Sequence, residues 1–332
     1  MTDTKRVIVT GATGMIGRQL CKQLTAKGYQ VVAFSRNPQK ARQSVPHAAE
    51  YVAWTPSEDG AWASAIDGAH GVIHLAGASL FGKRWTDAYK REIMASREIG
   101  TRGLVNAMRG AQQKPDVFVS VSAVGYYGPH GDETLDESAG SGNDFLARVC
   151  QVWEREARPA EDLGVRTVLF RSGVVLGGDE KMSLPIDFAG ASLNRPGVIL
   201  KTEEGAFPLL VMPFYFFAGG PILPGTQYLS WIHIDDVVGL LMFALEDERV
   251  RGPFNATAPD PLTYSEMAKT IGRVMGRPSW VPVPGFALKL MLGEMADMIT
   301  TGQRVLPKKA QELGYQFKHP TAGGAVREIL GK

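Results

Sequence analysis

The sequence predicts an α/β fold, a doubly wound parallel sheet with a smaller C-terminal domain. Three observations carry this. Short, continuously apolar runs recur along the first half of the chain, helical patterns lie between several of them, and a glycine-rich turn follows the first run at once. Val7, Ile8 and Val9 suit a strand buried on both faces. Over residues 15–27 the apolar Ile16, Leu20 and Leu24 recur every four and form one helical stripe, and Gly28 stands where a C-terminal cap belongs. Residues 31–34 are a second buried strand. Strand-like runs return at 51–54, 71–75, 117–121 and 166–170, with helical patterns at about 86–110 and 143–163. Strands alternating with helices imply right-handed βαβ crossovers.

Composition narrows the function classes. The chain has 332 residues, 44% hydrophobic and 21% charged, with 36 Lys plus Arg against 34 Asp plus Glu. A near-neutral balance without a basic run argues against nucleic acid and membrane surfaces as partners. Two cysteines, Cys21 and Cys150, cannot build a disulfide framework or a cysteine zinc site, so no metal is expected and a cytoplasmic location fits. The longest apolar stretch, 207–217, is broken by two prolines and falls short of the roughly 18 residues that span a bilayer.

The loop Gly11-Ala12-Thr13-Gly14-Met15-Ile16-Gly17 lies between the first strand and the first helix. There the first glycine permits a tight turn, the second lets backbone approach a pyrophosphate, and the third lets helix and strand pack closely. The helix N-terminus faces the phosphates. A merely structural turn is the alternative; the position at the first βα junction favours a Rossmann dinucleotide site made by Gly11, Thr13, Gly14, Met15, Ile16 and Gly17. At the end of the second strand, where NAD-preferring sites place a carboxylate against the ribose, the residues are Ser35-Arg36. A guanidinium pairs with a 2′-phosphate, so NADP is expected over NAD. Lys40 and Arg42 could add charge, although a solvated helix face is the commoner role. Residues 1–172 are read as the NADP-binding domain. Beyond them glycine and proline thicken, and 173–332 is read as mainly substrate-side, with 228–248 packing back on the first domain.

These residues resemble the extended short-chain dehydrogenase/reductases, the group that contains sugar-nucleotide epimerases and dehydratases. His74-Leu75-Ala76-Gly77-Ala78 resembles the fourth-strand segment that lies along the cofactor, which adds Leu75, Ala76 and Gly77 to the cofactor contacts. Residues 120–123 and Tyr127-Gly128 resemble the fifth-strand segment whose serine meets the substrate, and 231–237 the C-terminal strand–helix junction. Arg84-Trp85-Thr86, Ser96-Arg97, Gly100-Thr101, Gly125-Tyr126-Tyr127-Gly128, Trp153-Glu154, Asn255-Ala256-Thr257-Ala258-Pro259, Gly293-Glu294-Met295 and Leu306-Pro307-Lys308-Lys309 are similar to the SulA-type, NAD-dependent epimerase/dehydratase-like branch of atypical members. The resemblance implies a small-molecule substrate and a homodimer through helices near 90–110 and 145–160.

The departures bear on activity. The family's Tyr-x-x-x-Lys pair falls on Leu146 and Cys150, neither of which can donate a proton and hold a positive charge as that pair does, and Arg97 stands in place of an asparagine. Ser122 is expected at the carboxyl end of the sheet, with Tyr126 and Tyr127 as replacement acids; a phenol without an adjacent cation stays near pKa 10. Arg84, Trp85 and Lys90 could line the same opening, although packing is the commoner role for Trp85; Cys150 could face the nicotinamide, but an unreactive thiol is the commoner reading. A hydrolase triad of Ser122, His233 and Asp235 is the weaker reading, since Asp235 and Asp236 are placed to cap a helix. A segment at about 184–204 exceeds the branch's usual length and reads as a lid or a tolerated insertion. Two functions stand: an NADP(H)-binding, epimerase-like oxidoreductase of unknown small-molecule substrate, or a catalytically silent NADPH-binding redox sensor or regulatory protein.

Overall fold

The computed structural model describes residues 5–80, 83–177 and 207–332, so the extra segment at 184–204 lies outside the described residues. The strands are β1 Arg6–Thr10, β2 Gln30–Ser35, β3 Glu50–Ala53, β4 Gly71–His74, β5 Val117–Ala123, β6 Thr134–Leu135, β7 Arg166–Ser172, β8 Val174–Leu176, β9 Tyr228–Leu229, β10 Trp231–His233, β11 Gly252–Ala256, β12 Leu262–Thr263 and β13 Arg304–Val305. The helices are α1 Met15–Ala26, α2 Pro38–Ser44, α3 Asp87–Gly110, α4 Phe145–Ala157, α5 Phe207–Tyr215, α6 Ile234–Glu246, α7 Tyr264–Met275, α8 Gly285–Leu292, α9 Asp297–Thr300, α10 Lys308–Glu312 and α11 Ala322–Ile329. Among the described residues no helix is long and apolar enough to cross a membrane.

Seven strands form one parallel sheet in the order β3-β2-β1-β4-β5-β7-β11. The chain winds outward from β1 to β3, then returns to β4 on the other side. The carboxyl ends of β1 and β4 therefore flank the switch point where open α/β sheets bind ligands. Alternation along β1 divides the core: Val7 and Val9 face α1 and α6 with Leu20, Leu24, Val237 and Leu241, whereas Ile8 faces α3 with Leu104 and Met108. A third cluster, with Trp231, Tyr264, Met267, Ile271 and Val326, joins α7 and α11 to β10.

Local chemistry sets several boundaries. Thr86 opens α3 by accepting from the Tyr89 amide, and Thr263 with Glu266 forms a reciprocal capping box on α7, which stops at Gly276 with φ of 64°. The helix expected over 143–163 ends at Ala157 and tightens into a 3-10 turn over Arg158–Leu163. Pro159 has no N–H to continue the α-helical ladder. α6 differs from expectation too. His233, not an aspartate, is its N-cap, Nδ1 accepting from the Asp235 amide at 3.1 Å, while buried Asp236 accepts from the amides of Lys318 (2.8 Å) and His319 (2.9 Å) and anchors the chain that leads into α11. Two elements beyond residue 172 return to the sheet layer: α6 packs on α1, and β11 pairs with β7 as the seventh strand.

Candidate functional site

Gly11 holds φ at 66°, and a Cβ there would lie 3.0 Å from the Ala76 amide, so the turn after β1 presses on the segment after β4. A Cβ on Gly17 would lie 2.3 Å from the Gly11 carbonyl oxygen; helix and turn touch there. Gly14 is different. Its backbone is extended, with φ −75° and ψ 169°, and a Cβ would meet only the Gly11 oxygen, at 3.3 Å. The fold demands glycine here less than at Gly11 or Gly17, while a pyrophosphate approaching the backbone would demand it.

Gly14 is also the N-cap of α1, which has no side-chain cap and no acidic residue in its first turn. The amides of Met15, Ile16 and Gly17 thus begin a helix whose positive end is open to an anion. Thr13 offers its carbonyl to Arg18 at 2.6 Å. At the end of β2, Ser35 Oγ accepts from the Asn37 amide at 3.2 Å and shapes the turn, and Arg36 is exposed and bonded to no other described residue. Arg42, by contrast, lies over the Tyr51 ring at 4.6 Å. Leu75, Ala76 and Gly77 follow β4; Thr10 Oγ1 accepts from the Ala76 amide at 3.2 Å and meets His74 Nδ1 at 2.7 Å. These residues fit a dinucleotide laid across the switch point, with a free cation at the adenine end.

On the other side of β1 the geometry departs from a cleft-facing relay. Ser122 and Arg171 are register partners on β5 and β7, and both turn toward Glu154 of α4. Glu154 accepts from Ser122 Oγ at 2.9 Å, from Arg171 Nε at 2.8 Å and from Arg171 Nη2 at 2.8 Å. Arg171 Nη1 donates to the Tyr127 hydroxyl at 3.0 Å, which donates onward to Asn255 Oδ1 at 2.7 Å. Tyr127 is fully buried, and burial above all pushes its phenol up to about 12. The hydroxyls of Ser122 and Tyr127 are therefore engaged inside the protein, against the expectation that they face the opening. Tyr126 is half-buried, its ring lies 3.5 Å from the Arg171 guanidinium carbon, and its hydroxyl makes no hydrogen bond among the described residues.

Cys150 follows the commoner reading. It is buried, its thiol donates to the Ala123 carbonyl at 3.6 Å, and burial pushes it up to about 12, so it is no accessible redox thiol. Cys21 sits in the core beside Leu20 and Leu24. The hydrolase triad is not assembled, because His233 Nε2 pairs with Glu328 at 2.8 Å and Ser122 with Glu154. His233, His319 and Glu328 are the one group among the described residues close enough to share a metal ion. Since His233 Nδ1 accepts the Asp235 amide, its Nε2 carries the proton that Glu328 accepts, and the group is a clasp between α6 and α11.

The residues expected at the opening come together between α3, the start of α4 and residues 293–294. Trp85 packs edge-on against Phe145, ring centroids 5.2 Å apart. Lys90 lies 5.3 Å from the Phe145 ring and pairs with Glu294, and Arg84 lies against Gly293. Sequence reasoning reached these residues, and Asn255, through the family resemblance, but missed Arg171. The one signal was a charged residue placed directly after an apolar strand run.

The model of the NAD dependent epimerase/dehydratase family matches residues 7–256. The chain belongs to this family. Residues 283–329 match a second model, a domain of unknown function, DUF1731. An epimerase family protein SDR39U1 homolog, chloroplastic, from Arabidopsis thaliana is 39% identical over 98% of this chain and 86% of that protein, and the epimerase family protein YfhF of Bacillus subtilis 38% over 98% and 97%. The crystal structure of human epimerase family protein SDR39U1 (isoform2) with NADPH superposes with TM-score 0.81 and 31% identity, covering 98% of this chain and 99% of that one. The UDP-glucuronic acid 4-epimerase of Bacillus cereus in complex with NAD shares the fold, at TM-score 0.72 and 16% identity over 98% and 96%.

Proposed function

We propose that this protein is an NADP(H)-binding, epimerase-like oxidoreductase of a small-molecule substrate, with its proton donor moved off α4. The observation that carries the cofactor reading is the pairing of an uncapped α1 N-terminus behind Gly14 with Arg36, exposed and unengaged at the end of β2. A human relative crystallised with NADPH supports it. NADP(H), when bound, supplies hydride chemistry. The chain's own residues would hold the phosphates at residues 11–17, choose the 2′-phosphate through Ser35 and Arg36, and back the other half with residues 75–77. Tyr126 is the candidate proton donor of Ser122, Tyr126 and Tyr127, because its hydroxyl alone is uncommitted and a guanidinium lies over its ring. Ser122 and Tyr127 then serve as positioning residues that hold Arg171.

A silent NADPH-binding sensor is the second reading, favoured by Leu146 and Cys150 in place of the family's acid and cation and by the engaged Ser122 and Tyr127 hydroxyls. A panel of aldehydes, ketones, quinones and sugar nucleotides, followed by NADPH absorbance, separates the two. Turnover that falls about a hundredfold in Tyr126→Phe, with NADPH affinity kept, supports the enzyme. Full rate in that variant refutes Tyr126 as donor. Tight NADPH binding with nothing turned over supports the sensor.

A further inference from the structure

Arg97 is a buried cation without an anion. It is 8% exposed, its Nη1 donates to the carbonyls of Ala78 (3.1 Å) and Ile93 (3.1 Å), and its guanidinium lies 4.8 Å from the Trp153 ring. No carboxylate pairs with it among the described residues, whereas Arg171 has Glu154 and Lys90 has Glu294. Its titratable neighbours carry no compensating charge. His74 is held neutral, its pKa lowered to about 3 by burial and then by Arg97, and the Cys150 thiol stays protonated. An uncompensated buried charge works against folding, and a cost of that kind points to a task outside the fold.

Its position says which ligand. The guanidinium lies under the backbone of Gly77, where a Cβ would stand 2.9 Å from Cζ. Gly77 follows β4, across the switch point from β2 and Arg36, which mark the adenine end. The part of a dinucleotide that runs past Gly77 is therefore the nicotinamide half. That ring carries a full positive charge when oxidised and none when reduced, so a fixed cation beneath it acts on one redox state only.

We infer that Arg97 selects the reduced cofactor: its unpaired guanidinium under Gly77 repels the cationic oxidised ring and leaves the neutral reduced ring undisturbed. The inference rests on the nucleotide reading given above. By linkage, the difference in affinity between the two forms equals the shift in midpoint potential of the bound couple, about 30 mV for each factor of ten in a two-electron couple.

The test is calorimetric titration with NADPH, NADP+ and 2′-phospho-ADP-ribose, which lacks the ring. The unmodified protein is expected to bind NADPH at least tenfold more tightly than NADP+, and to bind the ringless analogue at least as tightly as NADP+. Arg97→Lys keeps the ratio. Arg97→Met brings it toward one, chiefly by tightening NADP+; a residue that only props Gly77 would weaken both forms together. Equal affinities for the two forms in the unmodified protein, or an unchanged ratio in Arg97→Met, overturn the inference while leaving the cofactor reading intact. Binding of none of the three ligands overturns the cofactor reading, and this inference with it.

Discussion

Glu154→Gln takes the anion out of an ion pair whose side chains are 2% and 3% exposed. Three donors converge on that carboxylate: Ser122 Oγ at 2.9 Å and two Arg171 nitrogens at 2.8 Å each. Glutamine keeps one acceptor oxygen, turns an amide donor toward a guanidinium, and leaves Arg171 charged and uncompensated. Breaking a buried pair on one side costs about 3–5 kcal/mol. At roughly 2–3 °C per kcal/mol for a chain of this size, the melting temperature should drop by roughly 6–15 °C. Ser122→Ala removes one charge-assisted bond but leaves the pair intact, so its cost is smaller, about 1–2 kcal/mol. The combined Glu154→Leu and Arg171→Met protein should lose less than the sum of its single changes, since no orphan charge remains. Thermal unfolding followed by circular dichroism measures all five variants, the two single changes of the double included. A drop below about 2 °C in Glu154→Gln would refute the view that this pair holds β5, β7 and α4 together. It would also return Ser122 to the list of groups free to act on a ligand.

Acid should weaken the fold through His74: its folded pKa of about 3 lies below the ordinary 6.5, so its contribution is complete above pH 6.5 and is lost as pH falls toward 3. At pH 4.5 the loss reaches about 2–3 kcal/mol, and His74→Asn should flatten that part of a urea-unfolding profile; identical profiles for the two proteins would count against it. Gly14→Val, with one tight 3.3 Å contact and the loss of a glycine N-cap, should lower stability by only about 1–2 kcal/mol, leaving the fold intact, yet lose NADPH binding. Gly17→Ala, whose Cβ would stand 2.3 Å from the Gly11 oxygen, should lose more stability than that. The reverse pattern would mean that the glycines have been assigned the wrong tasks.

What the sequence disclosed was local. The β1–glycine–α1 unit could be read because a buried strand, a tight turn and an amphipathic helix each leave their mark within a few residues. Arg36 could be read as a residue type at a fixed distance along the chain. β11 was not among the apolar runs: it opens on Gly252 and Pro253, and a proline is admissible there because β11 lies at the edge of the sheet. The Glu154–Arg171 pair joins a helix to a strand, and which face Ser122 takes depends on its register with β7. Spacing set Cys150 on α4 one turn after Leu146, but only packing shows that the thiol is shut in against Ala123.

The most direct test of the account is a pair of titrations, NADPH and NADH against the unmodified protein and Arg36→Ala, by calorimetry at fixed ionic strength. The unmodified protein is expected to bind NADPH at least tenfold more tightly, about 1.4 kcal/mol, and Arg36→Ala to lose most of that margin by weakening NADPH alone. Equal affinity for the two nucleotides, or a margin that survives in Arg36→Ala, would contradict the assignment of Arg36 to the 2′-phosphate; no binding of either would contradict the dinucleotide site itself.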